Sequence, residues 1–239
     1  MENVHIHNHS TKTPDHSHKS HEASLYDELA CHLPYAAFSV AFGFVVLSLL
    51  YFIGLNGMQV SLMRKGYHVL FHSFHYLHIV YAVIGTMVTF SRFSNNLVRG
   101  IFLSIISPAI FCTLSDVVLP ALAGEMLGVD MKVHICFLSW YDLLNVLPLM
   151  AMGLITGIVL RSHKESSLGF FSLGSHFVHI LISSLASLFY MVSYGFTEWY
   201  QSMGLLFFLL VIAVVVPCTV SDIVIPMYFA RVKHRSARS

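Results

Sequence analysis

Six long apolar segments dominate the sequence and leave little other material from which this chain could build a fold. A transmembrane helix needs about 20 predominantly apolar residues, and each segment meets that requirement. Only 10% of the residues are charged, against roughly a quarter in soluble domains. We therefore predict an all-α integral membrane protein with six transmembrane helices. The segments lie near residues 36–55, 67–90, 99–122, 138–160, 169–194 and 203–227.

A nine-residue phrase occurs in both the third and the sixth segment. It reads CTLSDVVLP at 112–120 and CTVSDIVIP at 218–226. Upstream of each copy stands a His-aromatic-aliphatic-His-Ile phrase, at 75–79 and at 176–180. This pattern predicts a duplicated unit of three helices. Because three crossings are an odd number, the second copy enters the membrane from the opposite side, which predicts two inverted three-helix repeats.

The polar residues outside the segments predict the organisation of the chain and its orientation. Of the 13 Lys and Arg residues, only Arg64, Lys65 and Lys132 fall on one face of the predicted bundle, and the other ten fall on the opposite face. The positive-inside rule then places both termini in the cytoplasm. We predict a His-rich disordered tail at 1–35, a first repeat at 36–122, a second repeat at 123–228 and a basic C-terminal tail at 229–239.

Repeated ionisable residues in the membrane segments are the candidate functional groups. Imidazoles and carboxylates are costly in hydrocarbon, so their presence in both copies indicates a function. Residues three apart share a helical face, so each His pair can present two ring nitrogens to one region. The two clusters stay separate or converge near the midplane, and the sequence leaves both arrangements open. The predicted metal ligands are His75, His78, Asp116, His176, His179 and Asp222.

Further donors lie near these residues. Each repeated Asp has a Cys four residues before it, on the same helical face, and a Pro four residues after it. Since proline has no amide N–H, Pro120 and Pro226 predict a kink and a freed Asp carbonyl oxygen. The competing interpretation is structural, because polar side chains also join transmembrane helices, and we assign Ser115 and Ser221 mainly to that role. The possible additional ligands are Glu28, His32, His72, Cys112, Asp142 and Cys218.

The donor types favour a first-row transition ion. Imidazole, carboxylate and thiol suit zinc, iron, cobalt or nickel better than magnesium or calcium, which prefer oxygen ligands. The N-terminal tail holds six histidines between residues 5 and 21, and His-rich tracts commonly bind metal. We therefore expect a transition-metal transporter that works by alternating access, with zinc or iron as the first choice of ion. Protonation of the ligands is one way to couple metal release to a proton gradient.

Two other classes of function remain open from the sequence. The same histidines suit an integral-membrane metalloenzyme, or a haem-binding redox protein in which they are axial ligands. A pH-responsive structural or sensory protein is the third class, and it would bind no metal tightly. The expected partners are the lipid bilayer and a metal ion, without nucleic acid, and a homo-oligomer is left open.

Overall fold

The six predicted spans form long helices. The structure is a computed structural model that describes residues 25–55, 60–162 and 168–236, with side-chain environments for 30–54, 62–161 and 176–230. Six helices of the described part are long and apolar enough to cross a membrane, which confirms a multi-pass, all-helical membrane protein. The α-helices are α1 (Leu25–Leu55), α2 (Val60–Phe93), α3 (Leu97–Thr113), α4 (Leu119–Met126), α5 (Trp140–Ser162), α6 (Leu168–Tyr194), α7 (Met203–Thr219) and α8 (Ile225–Ser236).

The helix ends differ in places from the sequence segments. The helix α1 begins at Leu25, inside the stretch that the sequence assigned to the polar tail. The third span runs continuously through α3 and α4 over Leu97–Met126, and the sixth runs through α7 and α8 over Trp199–Ala230. Hydropathy marks the apolar centre of a helix, and polar turns extend beyond it.

Each repeated Ser-Asp phrase forms a five-residue π-helical turn. The turn π1 (Leu114–Val118) joins α3 to α4, and π2 (Val220–Val224) joins α7 to α8. In π1 the N–H of Leu119 donates to the carbonyl of Leu114, five residues earlier. Such turns interrupt the regular helical ladder and often occur at functional sites. Where the prolines predicted a kink, the structure has a π turn, and the Asp side chain of each turn is buried in the protein interior.

The helices α2 and α6 lie at the centre of the bundle. Within the described residues, α2 packs against α3, α5, α6 and α8, and α1 packs against α6 and α7. In an apolar 18-residue stretch of the fifth span, His176–Tyr194, 78% of the residues are buried inside the protein, against 22% in the corresponding stretch of the fourth span, Trp140–Arg161. Small side chains such as Ser183, Ala186 and Ser187 permit this close packing of α6. The central pair of helices carries both repeated His phrases.

Three hydrogen bonds identify the two faces of the bundle. At one end, the Arg161 guanidinium donates to the carbonyl of Asn95 at 3.1 Å. At the other end, Arg64 Nε donates to the carbonyl of Ser193 at 3.0 Å, and the Tyr190 hydroxyl donates to the carbonyl of Lys132 at 2.9 Å. The loops that the sequence grouped by charge are thus also grouped in space.

Candidate metal centre

The middle of the bundle contains two imidazoles that face each other. His78 of α2 and His179 of α6 are both buried, and their Nε2 atoms lie 2.7 Å apart. Their rings meet edge to face, with centroids 4.6 Å apart. Two residues about a hundred positions apart in the chain thus present the same ring atom to the same point. The clusters of the two halves therefore converge on one location.

A buried carboxylate orients each of these rings. Asp116 of π1 lies 2.7 Å from Nδ1 of His78, and Asp222 of π2 lies 2.9 Å from Nδ1 of His179. An ionised carboxylate only accepts hydrogen bonds, so each Nδ1 must donate. In a neutral imidazole the Nε2 atom then carries a lone pair, and the two lone pairs point at each other. A cation between them, either a proton or a metal ion, removes the resulting repulsion.

Two thiols lie beside the facing nitrogens. Cys218 Sγ is 3.6 Å and Cys112 Sγ is 3.8 Å from Nε2 of His78. The donor atoms of His78, His179 and Cys218 all lie within 4.8 Å of one another. We name these three residues the central site; Cys112 lies at its edge.

The central site fits a tetrahedral ion after a small adjustment. Metal–nitrogen bonds of about 2.0–2.1 Å place two tetrahedral ligand nitrogens roughly 3.3 Å apart, and the nitrogen-to-sulfur separation is then roughly 3.6 Å. The Cys218 distance already has that value. The two Nε2 atoms would have to separate by about 0.6 Å. A carboxylate behind each ligand histidine is the usual support for bound zinc.

The two carboxylates have different surroundings. Asp116 Oδ2 accepts from both His78 and His75, the latter at 2.8 Å, and Oδ1 accepts from the hydroxyls of Ser115 and Ser183, each at 2.8 Å. Asp222 Oδ1, in contrast, is buried without a hydrogen-bond partner in the described part of the chain. Four donors therefore hold both oxygens of Asp116 in place. At Asp222, His179 holds Oδ2, and Oδ1 is not held by a hydrogen bond from any described residue.

A glycine of α2 provides room for Asp222. A Cβ atom at Gly85 would lie 3.1 Å from Asp222 Oδ2 and 3.4 Å from its Cγ. That is closer than ordinary packing, so a larger residue would push the carboxylate away from its place. Sequence reasoning missed Gly85, because a glycine in an apolar helix gives no signal of what packs against it.

His75 and His176, which were also predicted as ligands, are not among the three donors that meet at the central site. Nε2 of His75 is buried without a hydrogen-bond partner among the described residues, and its ring stacks on Phe71 at 5.4 Å. His176 meets His32 edge to face, with ring centroids 5.3 Å apart. His32, His176, Cys218 and Asp222 help to line a cavity of about 10 Å³, which is close to the size of one water molecule. His75 therefore supports Asp116, and His176 lines this small cavity beside Cys218.

The remaining predicted donors lie apart from the central site. His72 and Asp142 belong to a second cluster, in which His72, His134, Cys136 and Asp142 have donor atoms within 4.8 Å of one another. The side chain of Glu28 lies outside the described residues. Sequence reasoning did not select His134 or Cys136, although a His-x-Cys pair in a loop was a signal that could have been used. Burial, together with the nearby carboxylates of Asp142 and Asp116, raises the pKa of the Cys136 thiol to about 12.

The fold and the central site define a class of protein. It is a multi-pass helical membrane protein whose buried His, Cys and Asp side chains could bind a metal ion. Comparisons with protein-family models, with curated proteins and with solved structures find no match to this chain. The function is therefore inferred from the side chains themselves.

Proposed function

We propose that the protein transports a divalent transition-metal ion across the membrane and that the central site binds the ion in transit. One observation carries this proposal: His78 and His179 direct their Nε2 atoms at each other across 2.7 Å, with a buried carboxylate behind each ring. Two nitrogens with an adjacent thiol suit zinc, cobalt, nickel or iron better than calcium or magnesium. Zinc or iron is the first choice.

The spacing of the imidazoles favours a small ion over a haem. Metal–nitrogen bonds of about 2 Å place two trans axial nitrogens roughly 4 Å apart, and a porphyrin has to fit between the rings. The Nε2 atoms of His78 and His179 are much closer, and the thiol of Cys218 lies beside them. Binding of a tetrahedral or trigonal ion therefore requires a smaller separation of the two imidazoles than binding of a haem does.

Polar groups on both sides of the central site favour transport over a closed structural site. Toward one face, the small cavity beside Cys218 is lined by His32 and His176. Toward the other face, His72, His75 and His78 follow one another at intervals of three on one side of α2. A purely structural ion needs no polar route to either surface, whereas a transported ion needs both.

Reciprocal hydrogen bonds support an inverted repeat. Thr86 stands eight residues after His78, and Ser187 stands eight residues after His179. Thr86 donates to the carbonyl of Ser221 in π2 at 3.4 Å, and Ser187 donates to the carbonyl of Ser115 in π1 at 3.1 Å. Matched positions thus make matched contacts, each with the π turn of the other half. We propose two inverted three-helix repeats that share the ion between them.

Alternating access follows from this division of the ligands. One half contributes His78 and the other contributes His179 and Cys218. Rocking of the halves separates the nitrogens, which weakens the coordination and exposes the ion toward one face at a time. Because imidazole must be neutral to bind metal, a proton competes with the ion at the same Nε2 pair. By the positive-inside rule, we propose that the face containing Arg161 and both termini is cytoplasmic.

The test is metal flux into proteoliposomes containing the full chain and an entrapped metal-sensitive fluorophore. We expect zinc or cobalt influx with the unmodified protein, a large decrease with Cys218→Ser and background influx with His78→Ala. Cys31→Ser is the matched control, because Cys31 is exposed on α1, and it should leave the influx unchanged. Influx through His78→Ala at the rate of the unmodified protein would contradict the proposal.

Binding measured alongside flux separates the competing classes. Stoichiometric metal at the central site without flux above that of empty vesicles would favour the membrane metalloenzyme. No bound metal at the central site would favour the pH-responsive protein, in which a proton alone lies between His78 and His179. A Soret band in the purified protein would favour the haem protein.

A further inference from the structure

We propose that His72, His134, Cys136 and Asp142 form a second metal site, here named the rim site, which binds the same class of divalent transition ion. The proposal goes beyond the central site and does not need it for ion binding. Its donors come from three parts of the chain: α2, the loop before α5, and the first turn of α5. The four donor atoms all lie within 4.8 Å of one another.

The carboxylate of the rim site is already oriented by its neighbours. Asp142 Oδ1 accepts from the Tyr76 hydroxyl at 3.0 Å, and Oδ2 lies 3.0 Å from Nε2 of His134. The ring of His134 stacks on Tyr194, with centroids 5.7 Å apart. These contacts hold the donors together without a bound ion. A preorganised set of donors needs less ordering when the ion arrives.

The contact between His72 and Asp142 in the rim site is favourable only if a cation lies between the two side chains. Nδ1 of His72 lies 2.9 Å from the carbonyl oxygen of His68, which can only accept, so Nδ1 donates. The other nitrogen, Nε2, then directs a lone pair toward Asp142 Oδ1 at 3.6 Å. Two acceptors that face each other repel unless a positive charge lies between them. This is the same situation as at the central site, reached through different residues.

The exposure of the rim site suits exchange with the surrounding solution. The side chains of His134, Asp142 and His72 are 31%, 17% and 13% exposed, while Cys136 is buried. An ion can therefore enter past the partly exposed imidazoles and acquire its thiol ligand at the buried end of the cluster. Two nitrogens, one sulfur and one oxygen form a donor set that zinc and cobalt accept in tetrahedral geometry.

His75 connects the rim site with the central site. It stands on α2 between His72 and His78, which are separated by about 9 Å along the helix axis at 1.5 Å per residue. Its Nδ1 lies 2.8 Å from Asp116, and its Nε2 is buried without a hydrogen-bond partner in the described part of the chain. A buried lone pair between two metal sites is a suitable intermediate ligand. This connecting role rests on the proposed transport, whereas the rim site itself does not.

The rim site can be tested by cobalt titration of the purified full-length protein in detergent, with thiolate-to-cobalt charge-transfer absorption as the readout. This band counts only ions with a cysteine ligand, so an ion bound by the six histidines between residues 5 and 21, a stretch without cysteine, is silent. We expect two such ions per chain. Cys136→Ser should leave one, the Cys112→Ser/Cys218→Ser double variant should leave one, and the triple variant none. Cys31→Ser, the control, should retain two.

Each outcome of the titration bears on a separate proposal. The rim site is wrong if Cys136→Ser retains both ions, or if the Cys112→Ser/Cys218→Ser variant binds none. The central site, and the proposed function with it, is wrong if Cys136→Ser binds none while that double variant still binds one. His134→Ala, a change in the loop, guards against misfolding: it should weaken cobalt binding at the rim at least tenfold and leave the other ion in place. Unchanged affinity in this variant would also overturn the rim site.

Discussion

The two carboxylates behind the central histidines should respond differently to the same substitution. In Asp116→Asn, the amide oxygen can replace only one carboxylate oxygen, and the NH₂ group must take the place of the other. Four donors converge on Asp116, the two imidazoles at Oδ2 and the two serine hydroxyls at Oδ1. The amide oxygen can serve the imidazoles, and the hydroxyls then have to turn from donating to accepting. A hydrogen bond to a charged group contributes about 1 kcal/mol more than a neutral one, so loss of the charge at four hydrogen bonds amounts to about 4 kcal/mol of lost stability, against about 1 kcal/mol for a single bond.

Asp222→Asn should be much milder. The amide oxygen can keep the hydrogen bond from Nδ1 of His179, and the NH₂ group then occupies the position of Oδ1, where the described residues provide no donor. The substitution removes the negative charge of Asp222, but it does not place an N–H group against another donor. Support for a ligand histidine is worth about 10–100-fold in metal affinity. We expect a loss near tenfold for Asp222→Asn and near a hundredfold for Asp116→Asn.

Thermal unfolding of the purified variants measures the stability difference, and cobalt titration in a Cys136→Ser background measures the affinity of the central site alone. Asp116→Asn should unfold at a clearly lower temperature than the unmodified protein, and Asp222→Asn should unfold close to it. Equal destabilisation by both substitutions would refute the reasoning. So would an Asp116→Asn variant with unmodified stability, since the four hydrogen bonds would then contribute nothing measurable.

Two further predictions follow from the same contacts. Ala82 stands four residues after His78, as Ser183 does after His179, so under the proposed repeat Ala82→Ser should supply the missing donor to Asp222 Oδ1. We expect it to stabilise the protein by about 1 kcal/mol in thermal unfolding, whereas Ala36→Ser, also at a fully buried alanine, should not. Because the Cys136 thiol is buried and its pKa is raised to about 12, iodoacetamide near neutral pH should modify the exposed Cys31 first, by peptide mass spectrometry. Cys136 labelling should increase only as the pH approaches 12; rapid labelling at neutral pH would contradict the described burial.

The membrane fold could be predicted from local composition. Each span is a continuous apolar run, and hydrocarbon requires every backbone group of such a run to be paired within its own helix. All six spans were therefore recognisable without knowledge of their neighbours. The helix ends were harder to predict from the sequence. The helix α1 begins at Leu25 because polar residues also form helical turns at the membrane boundary.

The chemistry of the candidate site was partly readable from the repeated phrases. Duplication identified the residues that face inward, because an Asp and a His pair persist in both halves despite their cost in a membrane. It could not distinguish direct donors from supporting residues. His75 and His176 occupy matched positions in the sequence, yet one lies behind Asp116 and the other beside His32.

Tertiary structure alone decided which donors meet. The approach of His78 and His179 depends on how α2 and α6 pack against each other, which hydropathy does not describe. The rim site depends on the path of the loop that brings His134 and Cys136 to α2. Local sequence determined which residues lie in the membrane and on which helical face. Contact between distant segments determined which of those faces bring their donor atoms together, because coordination requires a fit of a few tenths of an ångström that only three-dimensional packing provides.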